Sequence, residues 1–114
     1  MSKFDEAIET YQKELENTLG IKDYDLDLLK RVAKGLGPSI YNNDASKVSI
    51  SDQSEVDRVK TNFLIKKLGL KDDGSLDSAI NEVGDAFGSS NKTKYRAIFY
   101  YLLTKKFGKE SVYD

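Results

Sequence analysis

The chain reads as an all-α protein: a compact single-domain bundle of about five helices around a central C-terminal helix at residues 91–107. Three observations predict it. Apolar residues recur at helical spacing through most of the chain, and Gly residues stand where helices end. The one greasy run, residues 97–103 (Ala97, Ile98, Phe99, Tyr100, Tyr101, Leu102, Leu103), lies between N-cap types (Ser89, Ser90, Asn91) and Gly108. Only Ile98 in that run is β-branched, so its propensity is helical.

The first helix spans residues 2–19. Phe4, Ile8, Tyr11 and Leu15 form a narrow apolar stripe, Asp5, Glu6 and Glu9 complement the N-terminal dipole, and Gly20 with Ile21 ends it. The second, residues 23–34, is capped by Asp23 or Asp25 and turns Leu26, Leu29 and Ala33 inward. Residues 37–51 are the least regular. Pro38 suits the first position of a short helical turn anchored by Ile40 and Tyr41. Val48 and Ile50 permit a short extended piece, for which no second strand is evident.

The third helix, residues 52–68, opens on a capping-box variant of Asp52 and Glu55 and buries Val56, Val59 and Phe63. Gly69 and Leu70 repeat the ending of Gly20 and Ile21. The resemblance of residues 19–27 to residues 68–77 admits an internal duplication, but shared cap chemistry accounts for it better. The fourth helix, residues 75–87, takes Ser75 as its N-cap and packs Leu76, Ala79, Ile80, Val83 and Phe87 on one face.

The fifth helix organises the rest. Tyr95, Ile98, Phe99 and Leu102 share one face, Leu103, Phe107 and Tyr100 widen it, and Ala97, Tyr101, Thr104 and Lys105 lie roughly opposite. So wide a stripe requires neighbours on several sides.

Composition excludes several functions. The 114 residues contain neither cysteine nor histidine, which removes disulfides, thiolate chemistry, and the commonest general base and metal ligand. A net charge of −1 argues against binding to nucleic acid or anionic membrane by overall electrostatics. The charged start MSKFDEAIE lacks a signal-peptide core, and the longest apolar run is seven residues, so a cytoplasmic protein is expected. Asp23, Asp25 and Asp27 open like a calcium loop, but Leu28 and Lys34 occupy its Gly and Glu positions. Residues 84–90, GDAFGSS, lack the Gly-Lys-Ser/Thr ending of a phosphate loop. No metal site, cofactor or catalytic residue is expected.

The positive signal is the polar start of the last helix: Ser89, Ser90, Asn91, Lys92, Lys94 and Arg96. Cations in first turns oppose the helix dipole, and a bound phosphate or carboxylate would reverse that penalty. The bland alternative is that the six basic residues from Lys92 to Lys109 pair with acids such as Asp77, Glu82 and Asp85, or with water. Tyr41 and Asn42 would line a pocket if the irregular stretch forms one.

GLGPSIYN (35–42), NFLIKKLGL (62–70) and SSNKTKYRAIFYYLLTKKFGKESVY (89–113) resemble a family of short bacterial proteins classed as a domain of unknown function. That resemblance implies a stand-alone, all-helical bacterial cytosolic protein and carries over no activity. The expected role is a non-enzymatic interaction or regulatory domain, with a protein partner or self-association through exposed aromatics such as Tyr101 and Tyr113. The alternative is a small-anion or nucleotide binder at the start of the last helix. Neither a membrane nor a nucleic-acid partner is expected.

Overall fold

The computed structural model describes residues 2–42, 45–88 and 94–113. Within them the chain forms five α-helices. They are α1 (Lys3–Lys13), α2 (Leu26–Leu36), α3 (Gln53–Arg58), α4 (Ser75–Phe87) and α5 (Arg96–Lys106). π-helical turns extend α1 through Glu14–Thr18 and α3 through Val59–Ile65. Two 3-10 turns complete the set, Gly37–Tyr41 after α2 and Glu110–Tyr113 after α5.

α5 lies at the centre, packed against α2 on one side and α4 on the other. Ala97, Ile98, Phe99, Leu103 and Thr104 have no exposed surface, and the Thr104 hydroxyl is satisfied within the helix by the Tyr100 carbonyl at 2.7 Å. Ala97, Tyr101 and Thr104, expected to lie opposite the core, are therefore also buried, while Lys105 on that side is exposed. Each large apolar side chain buried there contributes roughly 1.5–3 kcal/mol. Tyr101 is a core residue at 2 % exposure, not an exposed contact aromatic, and its phenol oxygen accepts from the Asp25 backbone N–H at 2.8 Å. Tyr113 is half-buried, its ring beneath the Lys67 ammonium at 4.9 Å.

The start of the central helix differs from the sequence expectation. α5 begins at Arg96, with Tyr95 as its extended N-cap (φ −60°, ψ 131°). Among the residues assigned to the helix from sequence, Lys94 and Tyr95 are not helical; residues 91–93 lie outside the described residues. The physical reason is a competing partner for the backbone. Lys47 and Tyr95 form an antiparallel bridge, Val48 N–H donates to the Lys94 carbonyl at 2.8 Å, and Arg96 N–H donates to the Ser46 carbonyl at 2.7 Å. The extended piece at Val48 does have a partner after all, in the segment read as the helix's first turn.

The caps explain the remaining boundaries. Ser2 caps α1 through the Asp5 N–H (3.1 Å), and Asp25 rather than Asp23 caps α2 through the Leu28 N–H (3.1 Å). Asp52 caps α3 through the Ser54 N–H at 3.0 Å, but the capping box is not formed, because Glu55 turns away to two arginines. α4 has Gly74 at its N-cap, and Asp73 just before it accepts from the Ser75 N–H at 3.0 Å and from the Ser75 hydroxyl; Ser75 is the first helical residue and not the cap.

α1 and α3 end alike. Each widens into π geometry, with Leu19 N–H reaching Glu14 O (3.1 Å) and Leu68 N–H reaching Phe63 O (2.9 Å). Each is closed by a glycine at positive φ, Gly20 at 68° and Gly69 at 72°, followed by an apolar residue whose N–H returns six residues: Ile21 to Leu15 (2.8 Å) and Leu70 to Leu64 (3.0 Å). Shared cap chemistry accounts for the sequence likeness of these two stretches.

Candidate functional site

The site is built where α3, its π-helical extension, the first turn of α5 and the residues Asn42 and Ala45 converge. Asn42, Ala45, Glu55, Arg58, Asn62, Arg96 and Tyr100 line a polar cleft of about 580 Å3. Arg58 is four residues before Asn62 and three after Glu55, so one helical surface presents all three.

Arg96 is the hub. Its Nε donates to the Ala45 carbonyl at 2.8 Å and Nη1 to the Tyr100 phenol at 3.0 Å. Nη2 donates to the Lys47 carbonyl at 3.3 Å and to Glu55 Oε1 at 2.5 Å. The other Glu55 oxygen accepts from Arg58 Nη2 at 2.9 Å. The Arg96 and Glu55 side chains are 16 % and 12 % exposed, whereas Arg58 is 62 % exposed. Arg96 and Glu55 are thus built in, while Arg58 extends into solvent with most of its donors available.

The electrostatics follow from that placement. Among the lining residues two guanidinium charges face one carboxylate, and Asp52, outside the lining, also interacts with the Arg58 charge. Burial opposes the charge on Arg96, but its Tyr100 and Glu55 partners more than offset this and hold its pKa above the ordinary arginine value. Burial raises the Tyr100 phenol, with the neighbouring Arg96 pulling in the opposite direction. Behind the cleft, the Tyr100 ring stacks on Phe63 with centroids 3.9 Å apart, which fixes the phenol's position.

Of the site residues expected from sequence, Arg96 and Asn42 meet in this cleft. Lys94 is buried and its carbonyl serves the ladder to Val48; it does not line the cleft. Ser89, Ser90, Asn91 and Lys92 lie outside the described residues. Tyr41, at 46 % exposure, lines a separate pocket of about 200 Å3 with Ala7, Thr10, Tyr11, Ile40, Ser46, Lys47 and Tyr95. Cations farther along α5 find acids: Lys106 pairs with Glu82, and Lys105 with Glu110 at 3.5 Å. Asp77 pairs with Lys60 at 3.5 Å instead.

Sequence reasoning missed Glu55, Arg58, Asn62 and Tyr100. A signal for the first three was present, since an acid, a base and an amide at i, i+3 and i+7 share a helix face. Glu55 was assigned to capping, and the switch to π geometry at Val59 is invisible in the residue pattern. Among the described residues, no group of three or more acidic, histidine or cysteine side chains could hold a metal ion.

What the fold and the cleft define is a small all-α protein with an arginine-walled polar cavity. The chain belongs to the family described as a protein of unknown function (DUF2853), whose model matches residues 10–111. No curated protein matches the chain.

Proposed function

We propose that the protein is a non-enzymatic binding domain whose cleft takes a small anion, a molecule carrying a carboxylate or phosphate group, with nucleotides among the candidates. One observation carries this reading: two guanidiniums and a single carboxylate, Glu55, line a cavity of about 580 Å3, within the roughly 300–1,000 Å3 of small-molecule sites. Arg58 supplies an exposed charge and a planar fork suited to carboxylate or phosphate, while Asn42, Asn62 and the Tyr100 phenol offer polar contacts. Arg96 positions the wall rather than meeting the ligand, since its donors already serve Ala45, Lys47, Glu55 and Tyr100.

The test is isothermal titration calorimetry with inorganic phosphate, a nucleoside monophosphate and a dicarboxylate. The reading expects saturable heat from at least one of them, weakened by added salt and lost in Arg58→Glu. Absence of binding at millimolar concentration of all three overturns it.

A second reading, a protein partner or self-association, is supported by a different feature. Ile21, Val83, Ala86 and Leu102 line an open, largely apolar groove of about 450 Å3, flanked by Glu82, Lys105 and Lys106. Light scattering after size-exclusion chromatography distinguishes it: a dimer supports this reading, and a strict monomer that captures no partner counts against it. Either reading fits a single-domain protein of the bacterial cytoplasm. That setting rests on the sequence resemblance, and among the described residues no helix is long and apolar enough to cross a membrane.

A further inference from the structure

Asn62 and Tyr100 line two cavities: the anion cleft on one side and, on the other, a pocket of about 200 Å3 completed by Gly35, Leu36, Phe63, Lys67 and Tyr113. We propose that the two form one bipartite site for an anion that carries a flat aromatic ring, with its carboxylate or phosphate at Arg58 and its ring in the smaller pocket. This rests on the anion reading of the cleft. The smaller pocket lies below the roughly 300–1,000 Å3 of complete small-molecule sites, so it suits a part of a ligand and not a whole one. Its walls are of the right kind for a ring. The Phe63–Tyr100 stack and Tyr113 supply three aromatic surfaces, Leu36 an aliphatic one, and Gly35 leaves space where any other residue would place a side chain.

Helix geometry joins the two halves. Arg58 and Lys67 are nine positions apart, and at about 100° per residue an α-helix would set them on opposite faces. The segment Val59–Ile65 is π-helical instead, with Lys66 N–H donating to the Thr61 carbonyl at 3.1 Å and Leu68 N–H to the Phe63 carbonyl at 2.9 Å. A π turn closes on the fifth residue rather than the fourth, so each residue turns the chain less, and Lys67 comes round to the side of Asn62, five positions earlier. Arg58, Asn62 and Lys67 therefore follow one another along the cleft, the shared boundary and the pocket. Such turns occur frequently at functional sites. The charge of the pocket agrees with an anion. Lys67 is its one charged lining residue, and it lies over the Tyr113 ring at 4.9 Å without an acidic partner among the described residues. Asn62 is exposed and makes no hydrogen bond to a described residue, so its amide offers both donor and acceptor where head group and ring would join.

The experiment compares affinities within two matched pairs by NMR titration of the full chain: adenosine 5′-monophosphate against ribose 5-phosphate, and phenylacetate against acetate. The ring-bearing member of at least one pair should bind about tenfold more tightly than its ring-free partner, and the pair that responds identifies the head group as phosphate or carboxylate. Arg58→Glu should abolish that binding. Gly35→Ala favours the helix and adds a methyl that would meet the Tyr113 ring at 3.6 Å, narrowing the pocket without a clash. It should weaken the ring-bearing member about threefold and leave the ring-free one unchanged, and Tyr113→Ala, which removes a wall, should do the same. Equal affinities within both pairs, a ring preference that survives both pocket variants, or ring-bearing binding that persists in Arg58→Glu overturns the proposal. Equal, measurable affinities would sink the ring pocket and leave the anion cleft standing, whereas no binding of any of the four compounds at millimolar concentration would sink both.

Discussion

The Arg96 guanidinium donates to the Glu55 carboxylate at 2.5 Å, tying the first residue of the central helix to α3. Through Ala45 and Lys47 the same side chain holds the segment that pairs with residues 94–96. Arg96→Met should therefore loosen three elements at once and leave Glu55 with only its exposed partner Arg58. The expected loss is about 2–4 kcal/mol, measured by urea unfolding. Arg58→Ala, which removes the partner exposed at 62 %, should cost less than about 1 kcal/mol. Equal costs would show that Arg96 is not the structural member of the pair.

Tyr101→Phe isolates a single hydrogen bond. The variant keeps the ring in the core and leaves the Asp25 N–H at the start of α2 without its acceptor. Stability should fall by about 1–2 kcal/mol, with the helical circular dichroism spectrum retained. A neutral substitution would mean that water replaces the phenol at that N–H.

Alkaline pH should destabilise the protein through two phenols. Burial, reinforced by Tyr95 and Tyr41, pushes Tyr11 up to about 12, and burial next to Tyr100 pushes Tyr113 up to about 12. In the unfolded chain both titrate near the ordinary value of 10.0. Between those values the unfolded state has lost protons that the folded state keeps, so stability is full below pH 10 and declines as pH rises toward 12. Tyr113→Phe should flatten that decline, as read from urea midpoints across the alkaline range, and a slope unchanged by the substitution would contradict the assignment.

Acid pH acts at the starts of α3 and α4. The Ser54 hydroxyl and N–H hold Asp52 below the ordinary aspartate value of 3.8, and Ser75 does the same for Asp73. Both are depressed acids, so their contribution is present above that value and is lost as pH falls through their folded-state values. Asp73→Asn keeps an accepting oxygen but cannot titrate. Its melting temperature should depend less on pH on the acid side than that of the unaltered protein.

The helices were legible because their apolar spacing and Gly endings are local properties. Gly20 and Gly69, both at positive φ and both followed by an apolar residue, could be read directly. The start of α5 was not legible. Lys94 and Tyr95 carry no β-branched or alternating signal, and their non-helical form depends on residues 46–48 nearly fifty positions away. The same nonlocal pairing hid the site. Arg96 stood out as a cation in a first turn, but its partner Glu55 could be assigned only once the two segments were seen together. Tyr101 shows the converse error. A helical wheel places it opposite the core, yet a helix enclosed by α2 and α4 has no outer face there.

The central claim is that the anion site is the Glu55–Arg58–Arg96 cleft. The most direct test is a heteronuclear NMR titration with a nucleoside monophosphate, comparing the unaltered protein with Arg58→Glu. Saturable amide shifts centred on Asn42, Arg58, Asn62 and Tyr100, absent in Arg58→Glu, are the predicted result. Shifts confined to Ser90–Lys94 and persisting in Arg58→Glu, or no shifts at millimolar ligand, would contradict it.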